Sequence, residues 1–266
     1  MPEGDSLAFV ARRLQPLVGE VPRIETPQPR HAPLRLAERL AGQAITAVES
    51  RGKHLLIRFA SGDAIHSHLR MSGRWEVGTP GRPTRRPRGA AWLILTSGDC
   101  EAILFNGPVL EVLTPAQQRL HPALGLLGPD VLDDGFDVAA AVARARRGPS
   151  EQSVADVLLD QRVAAGIGNV WKSEALFDLR LDPWTPAAAL DDAALGALLG
   201  RAAAMMRAHV ASGAARRPVR VYGRAGRPCP RCGQRIRARA QGDEGRRTFW
   251  CPGCQASVAD ESPKND

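Results

Sequence analysis

The chain has 266 residues, 44% of them apolar, and 36 basic against 28 acidic side chains give a net charge of +8. That length supports one large core or two modest ones, and the basic excess favours a polyanionic partner, nucleic acid first. No apolar run approaches the ~18 residues of a membrane span, and the start is not a basic-then-apolar leader. The expectation is therefore no membrane association and a cytoplasmic location, in the bacterial cytosol or nucleoid.

The chain opens Met1-Pro2-Glu3-Gly4-Asp5-Ser6. Leu7, Val10, Ala11, Leu14, Leu17 and Val18 follow at helical spacing, which predicts a helix over 5–18 capped by Asp5 or Ser6. From 43 to 114 the pattern changes to short apolar runs: AITAV, HLLIRFA, AIHSHL, AWLILTS, AILF and VLEVLT. Gly, Asp, Pro and Asn punctuate them, so at least six strands with short turns are expected, arranged as a mostly antiparallel sandwich. Residues 78–89, GTPGRPTRRPRG, can build no core. Arg82, Arg85, Arg86 and Arg88 make this stretch a mobile basic loop or the solvated tip of a hairpin. Cys100, in the turn-like SGDC, is expected to be an incidental thiol. His66 and His68 lie two apart on one strand face. With no third ligand at suitable spacing, a packed or hydrogen-bonded pair is expected there rather than a metal pair.

From 115 the chain turns helical, with patterns over 137–147, 151–161, 169–179 and 191–210, and GPDVLDDGFD near 128–137 has the composition of a linker. Ser153-x-x-Asp156 is a capping-box pattern. Gly166-Ile167-Gly168-Asn169 breaks the chain between two helices. Amides at the start of the second helix suit a phosphate, with Asn169 adding a side-chain donor; a turn that merely redirects the chain is the alternative. Trp171, Trp184 and Trp250 are expected to be packing residues.

Cys229-Pro-Arg-Cys232 and Cys251-Pro-Gly-Cys254 are two knuckles separated by eighteen residues. This spacing matches a tetrahedral four-thiolate Zn2+ site around a β-hairpin, and four protein ligands leave no open position, so the zinc is structural. A pair of disulfides is the alternative, disfavoured in a cytosol. Arg235, Arg237, Arg239, Arg246 and Arg247 give the hairpin a basic density suited to phosphate.

MPEG at the start, RGKHLL at 51–56, LLDQRVAAGIGNVWKSEALF at 158–177, VYGRAGRPCPRCG at 221–233 and RRTFWCPGC at 246–254 together resemble the formamidopyrimidine-DNA glycosylase / endonuclease VIII family. The resemblance implies an α+β multidomain fold: an N-terminal antiparallel β-sandwich with a flanking helix, then a helix-two-turn-helix domain and a zinc-ribbon hairpin, with DNA in the cleft between the halves. The implied boundaries are a catalytic domain over 1–127, a linker region over 128–148, a DNA-binding domain over 149–220, a zinc finger over 221–256 and a tail over 257–266. The implied activity is removal of oxidised bases followed by backbone cleavage. Damaged DNA is the implied partner, one Zn2+ the only cofactor, and the chain is expected to act as a monomer. Residue by residue, the match makes Pro2 the nucleophile, Glu3 its acid/base partner and Lys53 a phosphate contact near the lesion. Gly168, Asn169 and Arg246 become DNA contacts, and Met71 a wedge into the space a flipped base leaves.

Elementary chemistry agrees with these roles. Once Met1 is removed, Pro2 bears a secondary α-amine, whose pKa of about 7.7–8 lies far below that of lysine. A following helix N-terminus depresses it further. Two departures from the family pattern bear on substrate. Asp5-Ser6 replaces the family's Pro-Glu, so a further carboxylate is absent unless Asp5 substitutes. Asn106-Gly-Pro-Val-Leu110 lacks the arginine and phenylalanine of the formamidopyrimidine branch, which points to the endonuclease VIII side and to oxidised pyrimidines. A DNA-damage-binding protein with lost catalysis is the competing reading, and the intact Pro2-Glu3 pair favours the enzyme.

Overall fold

The computed structural model describes residues 2–241 and 245–255. It divides into two compact units, Met1–Leu126 and Leu127–Asp266.

The first unit begins with α1 (Gly4–Arg13). Its cap is Glu3, not Asp5 or Ser6. Glu3 has extended backbone, its N–H donates to Ser6 Oγ at 3.4 Å, and its carbonyl accepts from Ser6 and Leu7 N–H at 2.9 and 3.2 Å. Asp5 instead lies in the first turn, where a carboxylate complements the helix dipole. The helix is shorter than its apolar periodicity suggests, because Pro16 cannot continue it; Gln15–Leu17 form a 3-10 turn.

The strands are β1 (Arg23–Glu25), β2 (Ile45–Arg51), β3 (His54–Phe59), β4 (Ala64–His68), β5 (Arg74–Gly78), β6 (Leu93–Ser97), β7 (Cys100–Phe105) and β8 (Val109–Leu113). They form two four-stranded antiparallel sheets, ordered β1-β6-β7-β5 and β2-β3-β4-β8, which is the expected sandwich. The apolar runs reveal six of these strands. β1 and β5 escape because one is three residues long and the other, RWEVG, buries only Trp75 and Val77 between charged neighbours. Leu55, Ile57 and Phe59 of one sheet meet Leu93, Leu95 and Leu104 of the other, and Leu7, Ala11 and Leu14 of α1 join the same core. Burying each such side chain is worth about 1.5–3 kcal/mol.

The basic loop is not a hairpin tip. β5 and β6 both pair with β7, so residues 79–92 must cross over that strand. The crossing is partly docked: Ala91 packs with Ile94, Ile103 and Phe105, and Arg88 reaches Glu101 at 2.6 Å. Cys100 is likewise not in the turn but opens β7 opposite Ser97, and burial pushes its thiol pKa up.

The second unit contains α2 (Val138–Ala145), α3 (Val154–Leu159), α4 (Asn169–Asp178) and α5 (Asp192–Ser212), then the antiparallel hairpin β9 (Arg237–Gln241) and β10 (Arg246–Trp250). Residues 128–148, expected as a linker, contribute Val131, Ala141, Val142 and Ala145 to its core beside Leu158, Trp171, Leu198 and Met206. Val131, Leu132 and Phe136 are spread among acidic residues, proline and glycine without helical or strand periodicity, so their packing leaves no periodic trace in the sequence. Ser153 caps α3 as expected, its Oγ accepting from Asp156 N–H at 3.2 Å. α4 is buried over nine consecutive residues, polar ones included. Trp171 lies in the core, and Trp184 stacks edge-on against Trp250 at 4.4 Å. Among the described residues, no helix is long and apolar enough to cross a membrane.

Candidate active site and nucleic-acid interface

Strand register brings three turns of the first unit to one end of the sandwich. Arg51 pairs with His54, so Gly52-Lys53 is the two-residue tip of the β2–β3 hairpin, with Lys53 half-buried. His54 pairs with His68, and His68 with Val109, which brings Lys53, the 69–73 turn and the 106–108 turn to the same end. The latter two turns meet backbone to backbone at Gly73. A Cβ there would lie 2.7–2.8 Å from Leu69 Cα and O and from Asn106 O, so only glycine fits. Arg70 and Asn106 adopt left-handed backbone (φ 44° and 48°), and Met71 between them projects 67% exposed.

α1 packs against β2 and β3 of one sheet and β5 of the other. Arg13, at its last turn, donates to the Val77 carbonyl near the opposite end of β5. Pro2 is half-buried directly before the cap, while Glu3 and Asp5 are fully buried. Met1 lies outside the described residues.

The histidine pair expected at 66 and 68 is a different one. His54 Nδ1 meets His66 Nε2 at 2.7 Å, His66 Nδ1 meets Glu111 Oε1 at 2.7 Å, and His121 Nε2 reaches the same oxygen at 3.0 Å. The partners missing from the local sequence are thus supplied by β8 and by His121, which follows the helix Pro115–Leu120 and caps the helix Pro122–Gly125. His66, Glu111 and His121 have the spacing of a metal site, but their proton positions are those of a hydrogen-bond network. His121 Nδ1 accepts Leu124 N–H at 3.2 Å, which leaves the ring proton on Nε2 pointing at the carboxylate rather than a lone pair for a cation. Burial, reinforced by His68, His66, His121 and Lys53, lowers the pKa of His54 to about 3. Burial also lowers that of His66, against the pull of Glu111.

In the second unit the glycine turn is held by Gln161. Its Oε1 accepts Gly166 N–H at 2.9 Å, and its Nε2 donates to the carbonyls of Leu159 and Ile167 at 2.8 and 3.0 Å. Gly166 sits at φ 107°, which side-chain-bearing residues avoid. Gly168 caps α4, and Asn169 is its first residue. Asn169 is only 3% exposed, and its Nδ2 donates to the Arg247 carbonyl at 2.8 Å, joining the turn to the hairpin. Its Oδ1 is buried without a partner among the described residues.

Two buried charged residues on α4 escaped sequence reading. Glu174 accepts the backbone N–H groups of Arg220, Val221 and Tyr222 at 2.8, 3.0 and 2.9 Å, anchoring the segment that leads into the cysteine knuckles. Burial raises its pKa, opposed by those amides and by Arg220. Lys172 donates to Thr248 Oγ1 at 2.7 Å.

The four thiols converge. Cys229 and Cys254 Sγ are 3.9 Å apart, Cys232 and Cys251 Sγ 3.4 Å, and all four lie within 4.8 Å of one another. A tetrahedral ion with ~2.3 Å bonds to sulfur places the sulfurs ~3.8 Å apart, so the donor set fits zinc. Arg231 N–H donates to Cys229 Sγ at 3.4 Å, as a second shell to a thiolate would. On the hairpin, Arg235, Arg237, Arg239 and Arg247 are exposed and Arg246 is half-buried. Arg239 also stacks 4.1 Å above Trp184.

Residues 1–108 match the formamidopyrimidine-DNA glycosylase N-terminal domain model, and residues 127–219 the formamidopyrimidine-DNA glycosylase H2TH domain model. The chain is 40% identical to a probable endonuclease 8 2 of Streptomyces coelicolor, over 97% of this chain and 95% of that one. It is 36% identical to the DNA-(apurinic or apyrimidinic site) lyase Nei2 of Mycolicibacterium smegmatis, over 97% and 100%. Among solved structures it is similar to Lactococcus lactis formamidopyrimidine DNA glycosylase bound to DNA with an AP site, at TM-score 0.82 and 25% identity over 96% of this chain and 100% of that one.

The histidine network makes stability pH-dependent. The folded state keeps His54 neutral down to about pH 3, whereas the unfolded chain takes up the proton near pH 6.5. Its contribution is therefore complete above ~6.5 and is lost as the pH falls toward 3, at up to ~1.4 kcal/mol per pH unit for each such group. Urea unfolding of wild type and His54→Phe at pH 7.5 and 5.5 is expected to show the smaller acid loss in the variant.

Proposed function

The chain belongs to the formamidopyrimidine-DNA glycosylase family, and on that premise we propose that it is a bifunctional DNA glycosylase and AP lyase of base excision repair. The observation that best supports this reading is Pro2 standing half-buried directly before the buried cap Glu3 of α1, in a unit whose strand register sets Lys53 and the Met71 turn at one end of the sandwich. The relatives named endonuclease 8 and AP lyase support it.

Removal of Met1 exposes the Pro2 amine, which the adjacent helix start keeps partly unprotonated at neutral pH. The base is unreachable within the stack, so the nucleotide flips out, with Met71 filling the space it leaves. The Pro2 nitrogen attacks C1′, the glycosidic C–N bond breaks, and the base departs with the electron pair and a proton. Glu3 donates a proton to O4′ as the ring opens. Because the amine is secondary, the product is a cationic iminium that needs no further proton loss. It withdraws electrons as the C2′ proton is removed and the C3′–O bond breaks, releasing the 3′ phosphate with the bonding pair (β-elimination), and then as the C4′ proton is removed and the C5′–O bond breaks, releasing the 5′ phosphate in the same way (δ-elimination). Lys53 holds a phosphate beside the lesion. Gly168, Asn169 and Arg246 hold the flanking backbone, and Cys229, Cys232, Cys251 and Cys254 hold one structural Zn2+. The enzyme acts as a monomer in the bacterial cytosol. The lack of arginine and phenylalanine in Asn106–Leu110 favours oxidised pyrimidines over 8-oxoguanine.

Borohydride is expected to trap a covalent adduct with AP-site DNA and to lose most of it in Pro2→Gly; undiminished trapping through another residue overturns the nucleophile. Single-turnover rates should be higher for thymine glycol or dihydrouracil than for 8-oxoguanine opposite cytosine, and the reverse order overturns the substrate assignment. Zinc analysis of the purified protein should give one ion per chain. Cys251→Ser should lose it together with at least tenfold in DNA affinity, since such metal-organised folds collapse without their ion.

A further inference from the structure

We propose that Lys172 is a positioning residue: it fixes the register of the β9–β10 hairpin on α4 and so decides which of Arg246 and Arg247 meets DNA phosphate. The inference rests on the DNA-binding reading of that hairpin. Lys172 is fully buried, and its Nζ donates to Thr248 Oγ1 at 2.7 Å. Thr248 Oγ1 donates to Gln241 Oε1 at 2.5 Å, and Gln241 Nε2 donates to Ser153 Oγ at 2.7 Å. Ser153 Oγ donates to Asp156 Oδ2 at 2.6 Å. An ammonium can only donate, and each hydroxyl has one proton, so the chain runs in one direction from the Lys172 cation to the Asp156 carboxylate.

This chain crosses from α4 through both hairpin strands to α3, and it recognises chemistry rather than volume. A one-residue slip of β10 would reverse the facing of every side chain and set Arg247 or Phe249 against the buried ammonium in place of a hydroxyl. Asn169, one helical turn before Lys172, pins the neighbouring Arg247 carbonyl. Two side chains on one face of α4 thus hold consecutive residues of β10. In that register Arg246 lies opposite Gln241, half-buried on the same strand face as Thr248, and Arg247 faces the other way beside Phe249. A leucine or methionine at 172 would fill the space without distinguishing the two registers.

The test uses full-length, zinc-loaded protein and duplex DNA carrying a tetrahydrofuran AP-site analogue. Lys172→Met and Thr248→Val are each expected to weaken binding about tenfold and to lower the salt slope by about one phosphate contact, with zinc still at one per chain. The double variant should lose no more than either single one, and Thr248→Ser should restore binding. In wild type, Arg246→Ala should be costly and Arg247→Ala mild, whereas in Lys172→Met the two should become similar, which a merely stabilising lysine would not cause. The proposal is overturned if Lys172→Met binds with wild-type affinity and salt slope, or loses affinity only together with its zinc. Arg246→Ala separates the readings. If it binds as wild type in the otherwise unaltered protein, the phosphate role of Arg246 fails and takes this proposal with it. If it loses affinity while Lys172→Met does not, only the latch fails.

Discussion

The burial of Leu7, Ala11 and Leu14 in the sandwich core fixes the first helix and its cap Glu3 as part of the first unit. Terminal residues ordinarily fray. Here the first helix is held along its apolar side and tied at its far end by Arg13, and the residues ahead of it inherit that order. A terminal amine is the least basic amine a chain ordinarily offers, and placing it at a helix start lowers its proton affinity further. The sandwich core thus holds in place the helix start on which the proposed Pro2 nucleophile depends, through packing several residues away from it.

The second unit solves the converse problem. α4 is buried all round, yet it carries Asn169, Lys172 and Glu174. Burying polar groups is tolerable only when they are hydrogen-bonded. Their partners are the parts of the chain least able to hold themselves: the segment at Arg220–Tyr222 and the hairpin β9–β10. A short two-stranded ribbon is marginal by itself, and here the cysteine cluster secures one end and polar contacts with the helix the middle.

Much of this was legible in the sequence. The sandwich, the capped helices, the glycine turn and the two cysteine knuckles all follow from local rules: period-two apolar runs, cap residues, turn glycines and ligand spacing. The misread features were non-local. The cap fell on Glu3 because the helix begins at Gly4, three residues before the first apolar position, Leu7, could indicate it. The basic loop became a crossover because strand order is invisible in strand sequence. Val131 and α2 joined a core although their neighbourhood has the composition of a linker.

By itself the sequence determined six of the eight strands in the first unit, the family resemblance and the candidates for reactive and ligating residues, since each depends on residue type and short-range spacing. Tertiary structure alone decided which of them meet. The pairing of His54 with His66 and of Glu111 with His121, the tie between Asn169 and Arg247, and the contact of Lys172 with Thr248 span 10 to 78 residues of chain. Pairings at such separations are set by sheet register and helix packing, where one residue's shift changes every partner, and no local pattern encodes them.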